Sequence, residues 1–351
     1  MIGRLRILGA LLLLASPLLV AQERDPSALN VSIVVFDPGV PAQQSLHRDL
    51  QVFPRIREIE ALFLPFVLRE TLADTNEWGA VRVVPETDPA AELMLSCTIV
   101  HSDGEQLQLH VKATDASGRV WFERNFAAVV DGSYSTRSNP DGVRQGDGPF
   151  DAIAASLRQA REPLDGKALS NIVEISLLRH AAELAPSAFG EYLHQADDGR
   201  YSLIRLPAEG DPMLERIERI RGVEYVMTDA VDAKYQELHA DIASIYDLWR
   251  DYRRKAVRYQ LDDAERVQNS TSDAPRGSYE ALRALYDNYK SDRIIAQEQD
   301  SLAVAFNNEV GPKIAAVEAR VAELDGWVED RYAQWRRLLE ELFEVETGLT
   351  P

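Results

Sequence analysis

The chain has 351 residues, 38 Lys and Arg against 57 Asp and Glu, a net charge of −19 and 45% hydrophobic residues. That length supports about two domains with a buried core, and the composition excludes both an acidic disordered tail and a multispan membrane protein. The excess of carboxylates counts against nucleic acid and anionic lipid headgroups, which demand cationic surfaces, and a single cysteine excludes an intrachain disulfide framework or a thiolate-rich zinc site.

Residues 1–21, MIGRLRILGALLLLASPLLVA, set Arg4 and Arg6 before an apolar run from Ile7 to Val20. The run is too short to cross a hydrocarbon core, which takes about 20 helical residues, and it suits the h-region of a cleavable signal peptide. Cleavage is expected after Ala21, although its −3 residue is Leu19. The pattern predicts a periplasmic protein that contacts the membrane only if this segment stays uncleaved. No cysteine follows the run, so a lipoprotein anchor has no attachment atom. Loss of the two arginines takes the mature chain from −19 to −21.

Val31 to Phe36 is β-branched and aromatic and stops at Asp37-Pro38-Gly39, a strand entering a turn. From Pro54 to about Ala73, Ile56, Ile59, Leu62, Phe63, Phe66 and Val67 recur at threes and fours, predicting a helix that Pro65 should kink or split. Val81 to Val84 reads as a short strand. Leu93, Leu95, Cys97 and Ile99, a Ser102-Asp103-Gly104 turn, and Leu107, Leu109, Val111 and Ala113 have the period of two that predicts a hairpin with one buried face. Val120, Phe122 and Phe126 extend it to a three-strand antiparallel meander, and Phe150 to Arg161 reads as a second amphipathic helix.

The resulting order β-α-β-β-β-β-α over residues 28–162, with FDPG after the first strand, WGAVRVVP at the second and DGEQLQLHVKATDASGRVWFE through the meander, resembles the TolB amino-terminal domain and the related CsgG-like α/β folds. Its pairing with the helical region that follows is similar to uncharacterised exported proteins of Gram-negative bacteria. The resemblance implies a periplasmic domain that docks to other envelope components. Within this unit, Asp131 to Pro149 is rich in Gly, Ser, Asp, Asn and Pro and is expected to be a flexible loop. Asn139, Asp141 and Asp147 do not have the spacing of a calcium loop.

Residues 163–351 are expected to be a helical bundle or coiled-coil region, giving an α+β protein with an all-α second part. Tyr201 to Leu206 is a short extended exception, behind a turn at Asp197-Asp198-Gly199-Arg200. From Pro212 onward, Val231, Tyr235, Leu238, Ile242, Ile245, Trp249, Tyr252, Ala256 and Tyr259 form a seam at alternating fours and threes. Residues 269–277, NSTSDAPRG, interrupt it. A second run passes Leu282, Leu285, Tyr286 and Tyr289, and a third continues through Val310, Ile314, Val317, Val321, Leu324, Val328, Arg331, Trp335, Leu338, Leu342 and Val345. These helices either fold back as a long antiparallel hairpin or form a compact bundle, and the seam's Tyr and Trp suit an interface.

No HExxH, Walker loop, GxSxG or GxGxxG is present, and the six histidines form no ligand spacing. Cys97, on the apolar face of its strand, is expected to be a buried inert thiol, and His110, on a polar face, an exposed histidine with no catalytic role. The sequence therefore points to a non-enzymatic envelope protein without cofactor or metal. It would meet envelope partners or itself through helices, with Tyr235, Trp249, Tyr252, Trp335, Leu338 and Leu342 as the candidate seam. A ligand- or glycan-binding protein is the alternative and an unrecognised hydrolase the third reading.

Overall fold

In the computed structural model the described residues are 28–43, 54–104, 106–129, 148–208, 210–269 and 311–323, with single positions at 45 and 52 and between 279 and 337. The expected signal segment 1–21, loop positions 131–147 and the interruption at 270–277 lie outside them. The chain is mixed α+β, the class its patterning predicts. A five-stranded sheet is ordered β2-β1-β3-β4-β5, from β1 (Val31–Val34), β2 (Val81–Val84), β3 (Leu93–Ser102), β4 (Gln106–Asp115) and β5 (Val120–Val129). Strand β1 is parallel to both neighbours, and β3, β4 and β5 pair antiparallel in succession. Leu93, Leu95, Cys97 and Ile99 of β3 and Leu107, Leu109, Val111 and Ala113 of β4 all point into the core. Burial pushes the Cys97 thiol far up, which keeps it protonated and inert.

Two helices cover that face, α1 (Pro54–Asp74) and α2 (Pro149–Arg161). Pro65 lies inside α1 without splitting it, and a split was the sharper of the two outcomes expected of it. A proline cannot donate to the carbonyl four residues earlier, and here that carbonyl, on Ala61, accepts the backbone N–H of Phe36 at the end of β1, 3.1 Å away. The lost helical bond is replaced by one that ties α1 to the sheet. A second departure is Val120, 44% exposed where the alternation expects burial. The ladder places Phe122 opposite Ala113 and Val120 opposite Thr114, leaving Trp121 as an extra residue in β5. That bulge reverses the phase of the strand's first residue.

Helix α3 (Gly166–Leu184) begins at Asp165, whose side chain accepts from the Ala168 N–H. A short helix α4 (Pro186–Phe189) leads to a small hairpin of β6 (Leu193–Gln195) and β7 (Tyr201–Leu203), which turns at Gly199 with positive φ. The last element with resolved bounds is α5 (Pro212–Asn269), one unbroken helix of 58 residues, about 87 Å long at 1.5 Å per residue. One buried cluster runs from the sheet through α1, α2 and α3 to Ile242, Ala243, Ile245, Tyr246 and Trp249 of α5 and on to Ile314 and Val317 in the helical stretch 311–323. That cluster draws buried residues from both sides of position 162.

Candidate interaction surface

Helix α5 is fastened to the α/β unit at three levels. At its start, the Arg221 guanidinium, 8% exposed, donates to the Ala90 carbonyl at 3.0 Å and to Ser176 Oγ at 2.6 Å. Nearby, His180 Nε2 lies 3.2 Å from Glu224 Oε2. Burial pushes Glu224 up to about 7, and burial with the adjacent Arg221 charge pushes His180 down to about 4. Between those values both side chains are neutral, so the contact is not an ion pair there.

One level up, Arg82 reaches Asp229 at 2.5 Å and stacks over the Tyr225 ring at 4.6 Å. Arg69 of α1 pairs with Asp232 at 2.7 Å, and the other oxygen of Asp232 accepts from the Val83 N–H at 3.4 Å. Val83 lies on edge strand β2, so α5 masks a backbone donor that would otherwise be open to a further strand. Strand β5, the opposite edge, carries Arg124 turned to the helix side, 5.4 and 5.0 Å from the Phe122 and Phe126 rings and donating to Ser156. An inward charge of this kind discourages strand addition. The His239 ring stacks on Phe63 at 4.6 Å, and burial pushes it down to about 4.

At the far level Tyr246 meets Phe63 at 5.0 Å and Trp249 is 2% exposed. The Arg250 Nε–H donates to the Gly104 carbonyl at 3.2 Å and the Arg253 Nε–H to that of Asp103 at 2.9 Å. Gly104 is doubly required: its φ is +92°, and a Cβ there would lie 2.8 Å from Arg253 Cβ. Beneath sits Glu60, fully buried, accepting from Ser102 Oγ and from Tyr246, with Arg57 Nε 3.8 Å away. Burial pushes Glu60 up to about 7. A carboxyl so perturbed suits acid–base chemistry where substrate can reach it. Glu60 is sealed under α5, where it packs with Ser102, Tyr246 and Arg57.

The candidate seam divides along this geometry. Trp249 is a core residue. Tyr252 is half-buried, its hydroxyl donating to Glu309 Oε2 at 2.9 Å. Tyr235 lies on α5. Trp335, Leu338 and Leu342 lie outside the described residues. Beyond the fastened part, Arg55 at the start of α1 donates to Glu318 at 2.5 and 2.6 Å, tying down the stretch 311–323. Between 279 and 309 every described position is helical and exposed, including Tyr279 at 81%, Tyr286 at 65% and Tyr289 at 56%. Sequence reasoning assigned Tyr286 and Tyr289 to an apolar seam and passed over Tyr279. The recurrence of Tyr279, Arg283, Tyr286, Lys290 and Arg293 at fours and threes was the available signal for a separate polar-aromatic face.

An open cleft of about 410 Å³ lies between α3 and the β6–β7 hairpin. Its Arg179 is engaged with the Ala116 carbonyl at 2.8 Å and the Tyr201 ring at 4.2 Å. Among the described residues no cluster of His, Cys, Asp or Glu could hold a metal, and no helix is long and apolar enough to cross a membrane. No family model, curated protein or solved structure matches the chain.

Proposed function

We propose that the chain is a non-enzymatic protein of the cell envelope that works through protein–protein interaction. In this reading residues 1–21 export it to the periplasm. The sheet with α1 and α2 is a docking unit of the TolB amino-terminal or CsgG-like kind, with β3, β4 and β5 as its meander. The distal part of α5 and the helical positions that follow form a coiled-coil arm.

One observation carries the proposal: the aromatic pattern has two fates. Trp249 and its neighbours are consumed by the core, whereas Tyr279, Tyr286 and Tyr289 stand exposed on the part of the chain that continues beyond it. Solvent-exposed tyrosines grouped on one side of a helix have the composition of an interface, because the ring offers large rigid area while the hydroxyl stays hydrated. Formaldehyde crosslinking of the full chain in its native host tests the reading. Adducts should form with the wild type and disappear from a Tyr279→Ser/Tyr286→Ser/Tyr289→Ser variant of equal abundance and unchanged melting temperature. Adducts indifferent to the three tyrosines would overturn it.

A further inference from the structure

The outer strands of the five-stranded sheet are guarded, β2 by α5 and β5 by Arg124. The β6–β7 hairpin has one edge that is not. Its backbone bonds run from the Ala196 N–H to the Arg200 carbonyl at 2.8 Å and from the Ile204 N–H to the Tyr192 carbonyl at 2.9 Å. In an antiparallel pair such bonded positions alternate with positions whose N–H and C=O point away from the partner strand. The register puts Leu193, opposite Leu203, and Gln195, opposite Tyr201, in that second class. On β7 the phase is visible directly, because the Tyr201 N–H leaves the hairpin and donates to the Ser117 carbonyl at 2.7 Å. On β6 the corresponding groups belong to Leu193 and Gln195, and no backbone bond among the described residues outside the hairpin takes them up. The strand has neither a proline nor a lysine to guard that edge.

The same two residues line the open cleft between the hairpin and α3. Directly paired residues share a face, so the Gln195 and Tyr201 side chains lie on one side of the hairpin, together with that of Leu193 two positions away. A strand added along β6 directs the side chains opposite Leu193 and Gln195 to that side too, toward the cleft that Arg179 lines. Arg179 is held by the Ala116 carbonyl at 2.8 Å and by the Tyr201 ring at 4.2 Å, and no carboxylate among the described residues pairs with it. A guanidinium already fixed, with donors left over and its charge not neutralised, suits a carboxylate. Glu183, one turn further along α3, is exposed and lines the same cleft, so it repels a second acidic group beside the first.

We propose that β6 accepts an extended segment of a partner protein as a third strand, with one acidic side chain of that segment on Arg179. Main-chain bonds to Leu193 and Gln195 supply affinity and the cleft supplies selection. Strand β6 has only three residues, so neither part suffices alone. The inference rests on the interaction reading in taking a protein as the partner, and it uses a surface separate from Tyr279, Tyr286 and Tyr289.

The test measures fluorescence polarisation of a labelled Thr-Val-Glu-Val-Thr peptide, blocked at both ends, against the full chain, with Thr-Val-Lys-Val-Thr as its control. The glutamate peptide should bind saturably and more tightly than the lysine peptide. Methylating one alternate set of its backbone nitrogens should abolish binding and methylating the other set should leave it, the signature of a strand paired on one side. Gln195→Pro removes an outward N–H without touching the hairpin's own bonds, and should weaken binding by about tenfold or more while the melting temperature holds. Absence of saturable binding, equal binding of the two peptides, or indifference to which nitrogens are methylated overturns the proposal, and the last of these decides the matter even if Gln195→Pro destabilises the fold. The Tyr279→Ser/Tyr286→Ser/Tyr289→Ser variant should bind the glutamate peptide as the wild type does. Loss of peptide binding with tyrosine-dependent adducts retained in the host therefore sinks this inference alone, and loss of the adducts with peptide binding retained sinks only the role of the tyrosines.

Discussion

The part of α5 from Arg221 to Arg253 and the exposed face from Tyr279 to Val304 share a residue vocabulary of tyrosines, arginines and aliphatics at helical spacing. They use it in opposite ways. In the first, each arginine ends on a carbonyl or a carboxylate of the α/β unit, and the apolar residues between join the common core. In the second the same types meet solvent. Helical periodicity shows that a stripe exists, and the tertiary partner decides whether that stripe is spent on stability or left for association.

The contrast is most sharply broken at Trp249. Truncating it to alanine removes a large, 2% exposed side chain from the common core, where it stacks on Tyr246, and should cost about 3–5 kcal/mol in urea denaturation. A loss under 1 kcal/mol would mean that this part of α5 is not fastened as described.

The next effect is pH-dependent. Folding raises the Glu60 carboxyl from its ordinary 4.5 to about 7. The folded state therefore holds a proton that the unfolded chain releases, and stability falls as pH rises from 4.5 through 7, by a span on the order of 3 kcal/mol. Glu60→Gln should flatten that decline, measured as denaturation midpoints at pH 5 and pH 8. Glu224 contributes with the same sign. His239 and His180, pushed down to about 4, act oppositely: their stabilisation is complete above 6.5 and is lost as pH falls toward 4. His239→Phe should keep the stack on Phe63 and remove its share of the acid-side loss. A Glu60→Gln protein with the wild-type pH profile would assign the alkaline decline elsewhere.

A smaller effect is expected at Asp232, which serves Arg69 and the Val83 N–H together. Asp232→Ala leaves both donors of that partly buried site without this acceptor and should cost about 1–3 kcal/mol. The least effect on folding belongs to Tyr286→Ser, within about 0.5 kcal/mol because the side chain is 65% exposed, even as association is lost.

Local rules made much of the α/β unit legible. The alternation in Leu93 to Ile99 and Leu107 to Ala113 named the buried face residue by residue, and Asp103-Gly104 named the turn. What escaped depended on distant atoms. Pro65 looked like a break because its compensating donor, Phe36 N–H, is 29 positions away in sequence. Val120 was misjudged because a bulge cannot be read from one strand alone. The seam on α5 was visible, but its partner was expected to be another helix of a separate region, and α1 with the β3–β4 turn fills much of that place. The buried polar groups, Glu60, Arg57 and Arg221, gave no signal at all, since nothing local separates a buried charge from an exposed one.

The division of labour along the long helices is tested most directly by a photo-crosslinking residue placed at Tyr286 and, in parallel, at exposed Gln236 on the fastened part of α5. Illumination of intact host cells should give tyrosine-face adducts at 286 and none at 236. Adducts at 236 with none at 286 would contradict the account.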